Sequence, residues 1–336
     1  MTADTDVGSP EQQAMVRAIE LAESVRGSTS PNPWVGCVVL AAGGRRFDGA
    51  TRPPGGSHAE IIALAAAGEA ARGATLVVTL EPCPHHGRTG PCTDAVISAG
   101  IARVVVGIED PDSHVRGSGV ARLRAAGVDV EVGVGAAAVA EQLAPYVKHR
   151  RTGRPWVVLK LAVTADGHIA AADGTSRWIT GESARADAHA LRAQSDAVLV
   201  GAGTVRADDP ALTVRLAGGQ DPLRVVLGQA PAGARVHPAL ELGGDVAAVL
   251  DTLGGKGVVQ LLVEGGAGVA GQFHRAGLVD RYVLYLAPAL LGGDDGRSMF
   301  AGPGARTMDD VWRGQLLSVE QLGEDVKLVL APREEG

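Results

Sequence analysis

The sequence predicts an α/β protein of two domains of comparable size, the first a mostly parallel, three-layer arrangement of a sheet and its covering helices and the second another α/β domain. Three observations carry this expectation. The chain has 336 residues, about twice the roughly 150 of a typical domain. Short Val/Leu/Ile-rich runs alternate with amphipathic or Ala-rich runs, the pattern of strands joined by helices. That alternation breaks once, at the basic, turn-prone stretch from Lys148 to Gly153, and then restarts. The expected domains are residues 1–149 and 150–336.

In the first half, Met15, Ile19, Ala22 and Val25 recur at helical spacing and predict a helix from Glu11 to Arg26, ended by Gly27, Ser28 and Pro31. Val35 to Leu40 reads as a buried strand, His58 to Ala71 as an Ala-rich helix and Thr75 to Leu80 as a second strand. Helix Thr93 to Gly100, strand Val104 to Ile108, helix Val120 to Ala126, strand Val128 to Val132 and helix Ala136 to Leu143 follow. After the linker come strand Trp156 to Ala162, helix Ser183 to Gln194, and strands Ala197 to Val200 and Leu223 to Leu227. Helix Asp245 to Leu253, strand Val258 to Val263, helix Val269 to Ala276 and strand Arg281 to Leu286 complete the pattern.

Composition narrows the function. Hydrophobic residues at 46% and charged residues at 21% suit ordinary globular cores rather than disorder. With 31 Lys+Arg against 38 Asp+Glu, the net charge of −7 argues against a nucleic-acid partner held by a broad basic face. No apolar run approaches the roughly 18 residues of a membrane helix, and Met1 to Gln13 carries Asp4, Asp6 and Glu11 rather than a basic, greasy leader. A cytoplasmic protein without a membrane partner is expected. Three cysteines are too few for a disulfide scaffold, so metal binding is the better use of Cys83 and Cys92.

His58 and Glu60 sit two apart at the start of a helix, Cys83 follows a strand, and Cys92 opens the next helix. One imidazole and two thiolates suit Zn²⁺ in a tetrahedral site whose fourth position stays open, which would make His58, Cys83 and Cys92 the ligands. Glu60 would then carry a water proton, the arrangement of zinc nucleobase deaminases. The alternatives are a structural zinc site or a chance pairing of cysteines. The loop from Pro84 to Pro91 places His85, His86 and Arg88 at the mouth, suited to a phosphate-bearing substrate. Cys37, on a buried strand, reads as a small apolar packing residue.

The second half lacks Gly-x-Gly-x-x-Gly after its first strand, so a Rossmann reading has little support. Gly201-Ala-Gly203-Thr204 and Glu264-Gly265-Gly266-Ala267-Gly268 each follow a strand and could offer backbone N–H groups to a phosphate, or could be plain turns. Arg192 and Arg215 suit a bidentate phosphate clamp or ordinary ion pairs. Trp178, between polar neighbours in a chain with 3% aromatics, reads as a cleft wall or as core. Lys160 could face the same cleft or snorkel to solvent.

Taken together, these residues resemble the bifunctional riboflavin-biosynthesis deaminase/reductase family. The resemblance is carried by Pro31-Asn-Pro33, Val35-Gly-Cys37, His58-Ala-Glu60 and the run from Thr79 to Cys92. In the second half it rests on Leu159-Lys160, Ser176-x-Trp178-Ile-Thr180, Leu191-Arg-Ala193, Gly203 to Arg215 and Glu264-Gly-Gly266. It spans about the whole chain in order. It implies a cytidine-deaminase-like N-terminal domain with one Zn²⁺ and a dihydrofolate-reductase-like C-terminal domain using NADPH, in a homo-oligomer, dimer or tetramer. It also implies a pyrimidine ribosyl phosphate as small-molecule substrate, deaminated first and then reduced at the ribose.

By the same resemblance, Asn32, His85 and Arg88 contact the deaminase substrate. Ser176, Arg192, Leu212, Arg215 and Glu264 contact the reductase substrate. Ala162, Trp178, Thr204, Asp208 and the run Gly266, Ala267, Gly268, Val269, Ala270 and Gly271 contact the cofactor. Asp112 stands where the family commonly has Asn. The segment from Leu227 to Asp245 is shorter than the family pattern, which includes an additional strand there. That shortening supports a second reading, a deaminase joined to a non-catalytic reductase-like domain. An RNA-binding or structural zinc module fits poorly with the acidic balance and scarce aromatics.

Overall fold

A computed structural model describes residues 8–85, 90–112, 115–216 and 219–333. The chain divides into two units, Met1–Thr152 and Gly153–Gly336.

In the first unit, helix α1 (Pro10–Ser24) begins at a capping box. The Ser9 hydroxyl accepts the Gln12 N–H while the Gln12 side chain accepts the Ser9 N–H, satisfying two orphan donors of the first turn. The unit continues with β1 (Gly36–Leu40), β2 (Arg46–Ala50), α2 (Ala59–Ala67), β3 (Thr75–Leu80), α3 (Cys92–Ser98) and β4 (Arg103–Ile108). It ends with α4 (Ser118–Ala125), β5 (Asp129–Val132), α5 (Ala136–Gln142) and α6 (Ala144–Thr152). The strands form one sheet in the order β2-β1-β3-β4-β5. Helices α1 and α5 lie on one face and α2 on the other, giving the expected three layers.

Two features depart from the expected pattern. β1 runs antiparallel to both β2 and β3, because β2 returns along it in a hairpin whose polar Arg46-Phe-Asp-Gly-Ala50 sequence carries only Phe47 as a large apolar residue. The stretch expected as a linker from Lys148 to Gly153 is helical through Thr152. α6 buries Pro145 and Tyr146 and leaves the basic residues toward its end at least partly exposed, so the run of charge is a solvated helix face.

The second unit contains β6 (Trp156–Thr164), β7 (His168–Ala170), α7 (Glu182–Ala193), β8 (Ala197–Gly201), α8 (Ala202–Asp208), β9 (Leu223–Leu227) and β10 (Leu240–Leu242). Then come α9 (Val246–Gly255), β11 (Gln260–Val263), α10 (Ala267–Arg275), β12 (Arg281–Ala287), β13 (Arg297–Ser298), β14 (Gly314–Leu322) and β15 (Asp325–Pro332). The main sheet has the order β10-β9-β8-β11-β6-β12-β15-β14. It is parallel from β10 to β12, and the β14–β15 hairpin adds the antiparallel edge. Fully buried Leu159, Leu199, Leu261, Leu250 and Phe273 belong to one core of strands and flanking helices.

The glycine-rich stretch after β8, for which no helix was expected, opens α8 at Ala202, while the one after β11 opens a helix as expected, with α10 starting at Ala267, two residues before the expected Val269. The short segment between Leu227 and Asp245 still forms a strand, with β10 pairing Leu240 to Val225 and Leu242 to Leu227. The segment expected to lack a strand therefore contributes a three-residue one at the sheet edge.

Gly49 shows how tightly α2 is seated. A Cβ there would stand 2.1 Å from the Ala59 carbonyl oxygen and 2.7 Å from the Ala63 nitrogen, both backbone atoms of α2. Gly49→Val is expected to push α2 from the sheet and lower stability by about 1–3 kcal/mol, checked by denaturant unfolding. An unchanged midpoint would show that α2 is free to shift.

Candidate functional site

Three segments meet beyond the end of β3 in the first unit. His58 is the residue before α2, in extended backbone (φ −73°, ψ 163°), so its ring projects ahead of the helix. Cys83 lies just past β3, and Cys92 is the first residue of α3. His58 Nδ1 is 3.2 Å from Cys92 Sγ and 3.6 Å from Cys83 Sγ, and the backbone N–H of Cys92 donates to Cys83 Sγ at 3.5 Å. The three ligand atoms all lie within 4.8 Å of one another.

The donor set fits a borderline-soft divalent cation, one nitrogen and two sulfurs in reach of a single point. Its electrostatics agree. Cys83 is drawn down to about 4, chiefly by hydrogen bonding from the Cys92 thiol, with His58 adding to the effect. Cys92 is pushed up by the same bond, because the pair shares one proton, and burial pushes it further. A site that already holds a thiolate in a half-buried pocket is one that a cation stabilises.

Glu60 stands in the first turn of α2, 4% exposed. Burial is the main cause raising its carboxyl above the ordinary range, bringing it closer to a group that can both take and return a proton near neutrality. Glu60 lines a cavity of about 470 Å³ together with Asn32, His58, Cys83 and His85. Arg88 lies outside the described residues. Cys37 is fully buried and its thiol is pushed well up by burial, as a packing residue would be.

Four further residues belong to this site. Asp110, Tyr146 and Arg150 line the cavity. The Tyr146 hydroxyl donates to the Asp110 carboxylate at 3.3 Å, and the Arg150 guanidinium stacks 5.1 Å above the Tyr146 ring. Glu81 is 3% exposed and accepts the backbone N–H groups of Asp110 (3.1 Å), Gly117 (2.9 Å) and Val120 (3.0 Å). It staples the end of β3, two residues before Cys83, to the entry of α4. The available signal was an acid directly after an apolar strand.

In the second unit a cavity of about 910 Å³ is lined by Ser176, Thr204, Asp208 and the first turn of α10 from Gly266 to Val269. The Gly266 N–H donates to Thr204 Oγ1 at 3.2 Å, tying the entries of α8 and α10 together. A Cβ at Gly203 or Gly268 would meet nothing within 4 Å, so bare backbone borders open space, a fit for a long dinucleotide whose phosphates lie at helix entries. Ala270 and Gly271, expected at the cofactor, do not line it. Ala270 is fully buried in the core, and a Cβ at Gly271 would stand 2.3 Å from the Ala301 carbonyl oxygen. The helical period turns both toward the core, away from the cavity that Gly266 to Val269 line.

An adjoining cavity of about 270 Å³ brings together Ala162, Ser176, Trp178, Arg192, Leu212 and Glu264. Trp178 is 68% exposed, a cleft wall rather than core. Arg192 holds Glu264 in a two-bond pair at 2.5 and 2.8 Å, and its remaining nitrogen donates to the Thr213 carbonyl at 3.2 Å. Its guanidinium is therefore committed to the carboxylate. Half-buried Lys160 also faces this cavity, its amine lowered chiefly by burial. Arg215 lines a third cavity with Lys160 and Arg192.

Known proteins resemble both units. The profile of the cytidine and deoxycytidylate deaminase zinc-binding region matches residues 9–108, and that of the RibD C-terminal domain matches residues 155–328. The chain is 44% identical over 341 residues to the riboflavin biosynthesis protein RibD of Mycobacterium tuberculosis, covering 96% of this chain and 97% of that one. It is 38% identical over 364 residues to the Escherichia coli protein of the same name, covering 95% and 99%. Among solved structures, Acinetobacter baumannii RibD superposes with a TM-score of 0.91 at 38% identity, covering 97% of this chain and 99% of that one. The Thermotoga maritima diaminohydroxyphosphoribosylaminopyrimidine deaminase/5-amino-6-(5-phosphoribosylamino)uracil reductase does so with 0.89 at 35%, covering 96% and 99%. The His/Cys/Cys cluster fits Zn²⁺, and the C-terminal domain fits NADPH.

The shared proton makes the cluster testable. After chelation, one thiol per chain, Cys83, is expected to react rapidly with a disulfide reagent at a rate flat between about pH 6 and 8. Its depressed pKa leaves it ionised throughout that range. Peptide mapping that finds Cys37 or Cys92 labelled first, or a rate climbing about tenfold per pH unit, would contradict the assignment.

Proposed function

This chain belongs to the RibD family of riboflavin-biosynthesis proteins, and from that premise we propose which residues perform its two reactions. It is a bifunctional enzyme, a deaminase followed by a reductase. The deaminase step converts 2,5-diamino-6-(5-phosphoribosylamino)pyrimidin-4(3H)-one to its uracil-type product with release of ammonia. The reductase step uses NADPH to turn the ribosyl side chain into ribityl. One observation carries the deaminase reading: a His/Cys/Cys cluster and a buried carboxyl share one cavity.

His58, Cys83 and Cys92 would hold the zinc, which would supply the Lewis acidity that makes water nucleophilic at neutral pH. Glu60 takes the proton from the attacking water and delivers it to the exocyclic nitrogen, so that the amine leaves as ammonia. Its burial keeps that proton from exchanging with bulk solvent during the transfer. Asn32 and His85 orient the pyrimidine, and Arg88 holds the phosphate.

In the second unit, Thr204, Asp208, Ala162, Trp178 and the turn from Gly266 to Val269 position NADPH. Ser176, Leu212, Arg215 and Glu264 position the ribosyl phosphate, with Arg192 fixing the Glu264 carboxylate. The cofactor supplies hydride, and the protein's part is alignment. A non-catalytic second unit is not favoured, since the reductase profile matches residues 155–328 and the edge strand β10 is present.

A cytoplasmic homo-oligomer, dimer or tetramer, completes this reading. Support comes from the edge strand β14, where Leu316 and Val319 are 55% and 59% exposed. Among the described residues, no helix is long and apolar enough to cross a membrane.

Glu60→Gln is expected to keep one zinc per chain while ammonia release falls about 10²- to 10⁴-fold. NADPH oxidation with pre-deaminated substrate should remain unchanged. Undiminished ammonia release would remove Glu60 from the reaction, and absent NADPH oxidation by the unmodified protein would remove the reductase.

A further inference from the structure

The third cavity of the second unit, about 460 Å³, is lined by six basic side chains, Lys160, Arg177, Arg185, Arg192, Arg215 and Arg235, against one carboxylate, Asp209. Four of the cations are engaged. Arg192 is committed to Glu264, and Lys160 feels that same carboxylate and lies 5.6 Å from the Tyr285 ring. Arg177 donates to the Asp208 carbonyl at 2.5 Å and Arg185 to the Thr180 carbonyl at 2.7 Å, both beside the Trp178 ring. Arg215 and Arg235 are exposed, and among the described residues neither guanidinium has a carboxylate partner. His189 lines the same cavity, and its imidazole is lowered by burial and then by the charges of Arg192 and Arg215. The cavity is short of negative charge.

Arg235 is held in place from both sides. Its backbone N–H donates to Asp209 Oδ1 at 2.7 Å, and the next residue, Val236, is fully buried in the core. Asp209 caps α8 with left-handed backbone (φ 41°), and Leu212 is left-handed too (φ 52°). Non-glycine residues rarely adopt this conformation, and it persists where the surroundings over-determine it. The loop from Asp209 to Leu212 therefore presents Asp209 to the shortened segment between β9 and β10. That segment in turn delivers Arg235 to the cavity.

We propose that Arg235 is a specificity-determining contact for the phosphate of the reductase substrate, acting beside Arg215. The proposal rests on the reading of the second unit as a reductase of a ribosyl phosphate. Two guanidinium forks match the oxygens of a phosphate dianion, which a single fork leaves partly unpaired. Arg192, bound to Glu264, instead supports the carboxylate. The trimmed segment thus contributes to binding rather than marking a lost activity.

The test compares the full-length protein with Arg235→Ala and Arg235→Lys. For the phosphorylated, deaminated substrate, R235A is expected to raise KM about tenfold with kcat within about twofold, and R235K to recover part of the loss. KM for the unphosphorylated analogue and the rate of ammonia release should not move. Calorimetric titration with ribose 5-phosphate, without cofactor, should show R235A losing the same binding component that R215A loses. An R235A protein matching the original in both KM and titration overturns the inference while leaving the reductase reading intact. Loss of the ribose 5-phosphate component in a protein that never oxidises NADPH would uphold the anion contact and overturn the reductase reading instead.

Discussion

Bringing one imidazole and two thiols to within 4.8 Å of each other is the demand around which the first unit is arranged. The groups come from three places in the chain, and each is fixed by different means. His58 and Glu60 are placed by α2, which the absence of a side chain at Gly49 allows to lie directly on β2. Cys83 is placed by β3, whose end is stapled by Glu81 to three backbone N–H groups. Cys92 opens α3, where its own N–H meets the Cys83 sulfur. A cation shared by the three groups would favour the ionised form of both sulfurs and add its binding energy to the stability of this arrangement.

The second unit solves a different problem, making room for a long cofactor beside a small charged substrate. Its parallel strands end at the same edge, and the helices after β8 and β11 start there, so two helix entries border one large cavity. Open α/β sheets commonly bind ligands beyond the carboxyl ends of their strands. Glu264, directly after β11, and Lys160, within β6, face the adjoining cavity. The Arg192–Glu264 pair allows that carboxylate to be buried without being neutralised. Bare glycine backbone borders the larger cavity beside Arg206 and Arg297, whereas basic side chains predominate around the third.

Much of this was legible in the sequence. The strands at Thr75–Leu80 and Leu223–Leu227 have the predicted bounds, since buried parallel strands are unbroken apolar runs between turn signals. The cluster His58, Cys83 and Cys92 was readable because ligand chemistry restricts residue types far more than packing does. What escaped had a common cause, dependence on partners distant in sequence. β14 and β15 are a hairpin closed at Gly323, mostly part-exposed or exposed, with little apolar contrast. The helical ending of the first unit was hidden by its own charges. The roles of Glu81 and Arg235 rest on backbone N–H groups and a loop that no local pattern announces, and the inward turn of Ala270 and Gly271 depends on which face of the expected helix meets the core and Ala301.

The central claim is that zinc is held by three protein groups and no fourth. X-ray absorption at the zinc edge of the metal-loaded protein measures this directly. The account predicts two sulfurs near 2.3 Å and one imidazole nitrogen near 2.0–2.1 Å, with no further protein donor. A third sulfur, a second imidazole, or zinc absent at stoichiometric level would contradict it.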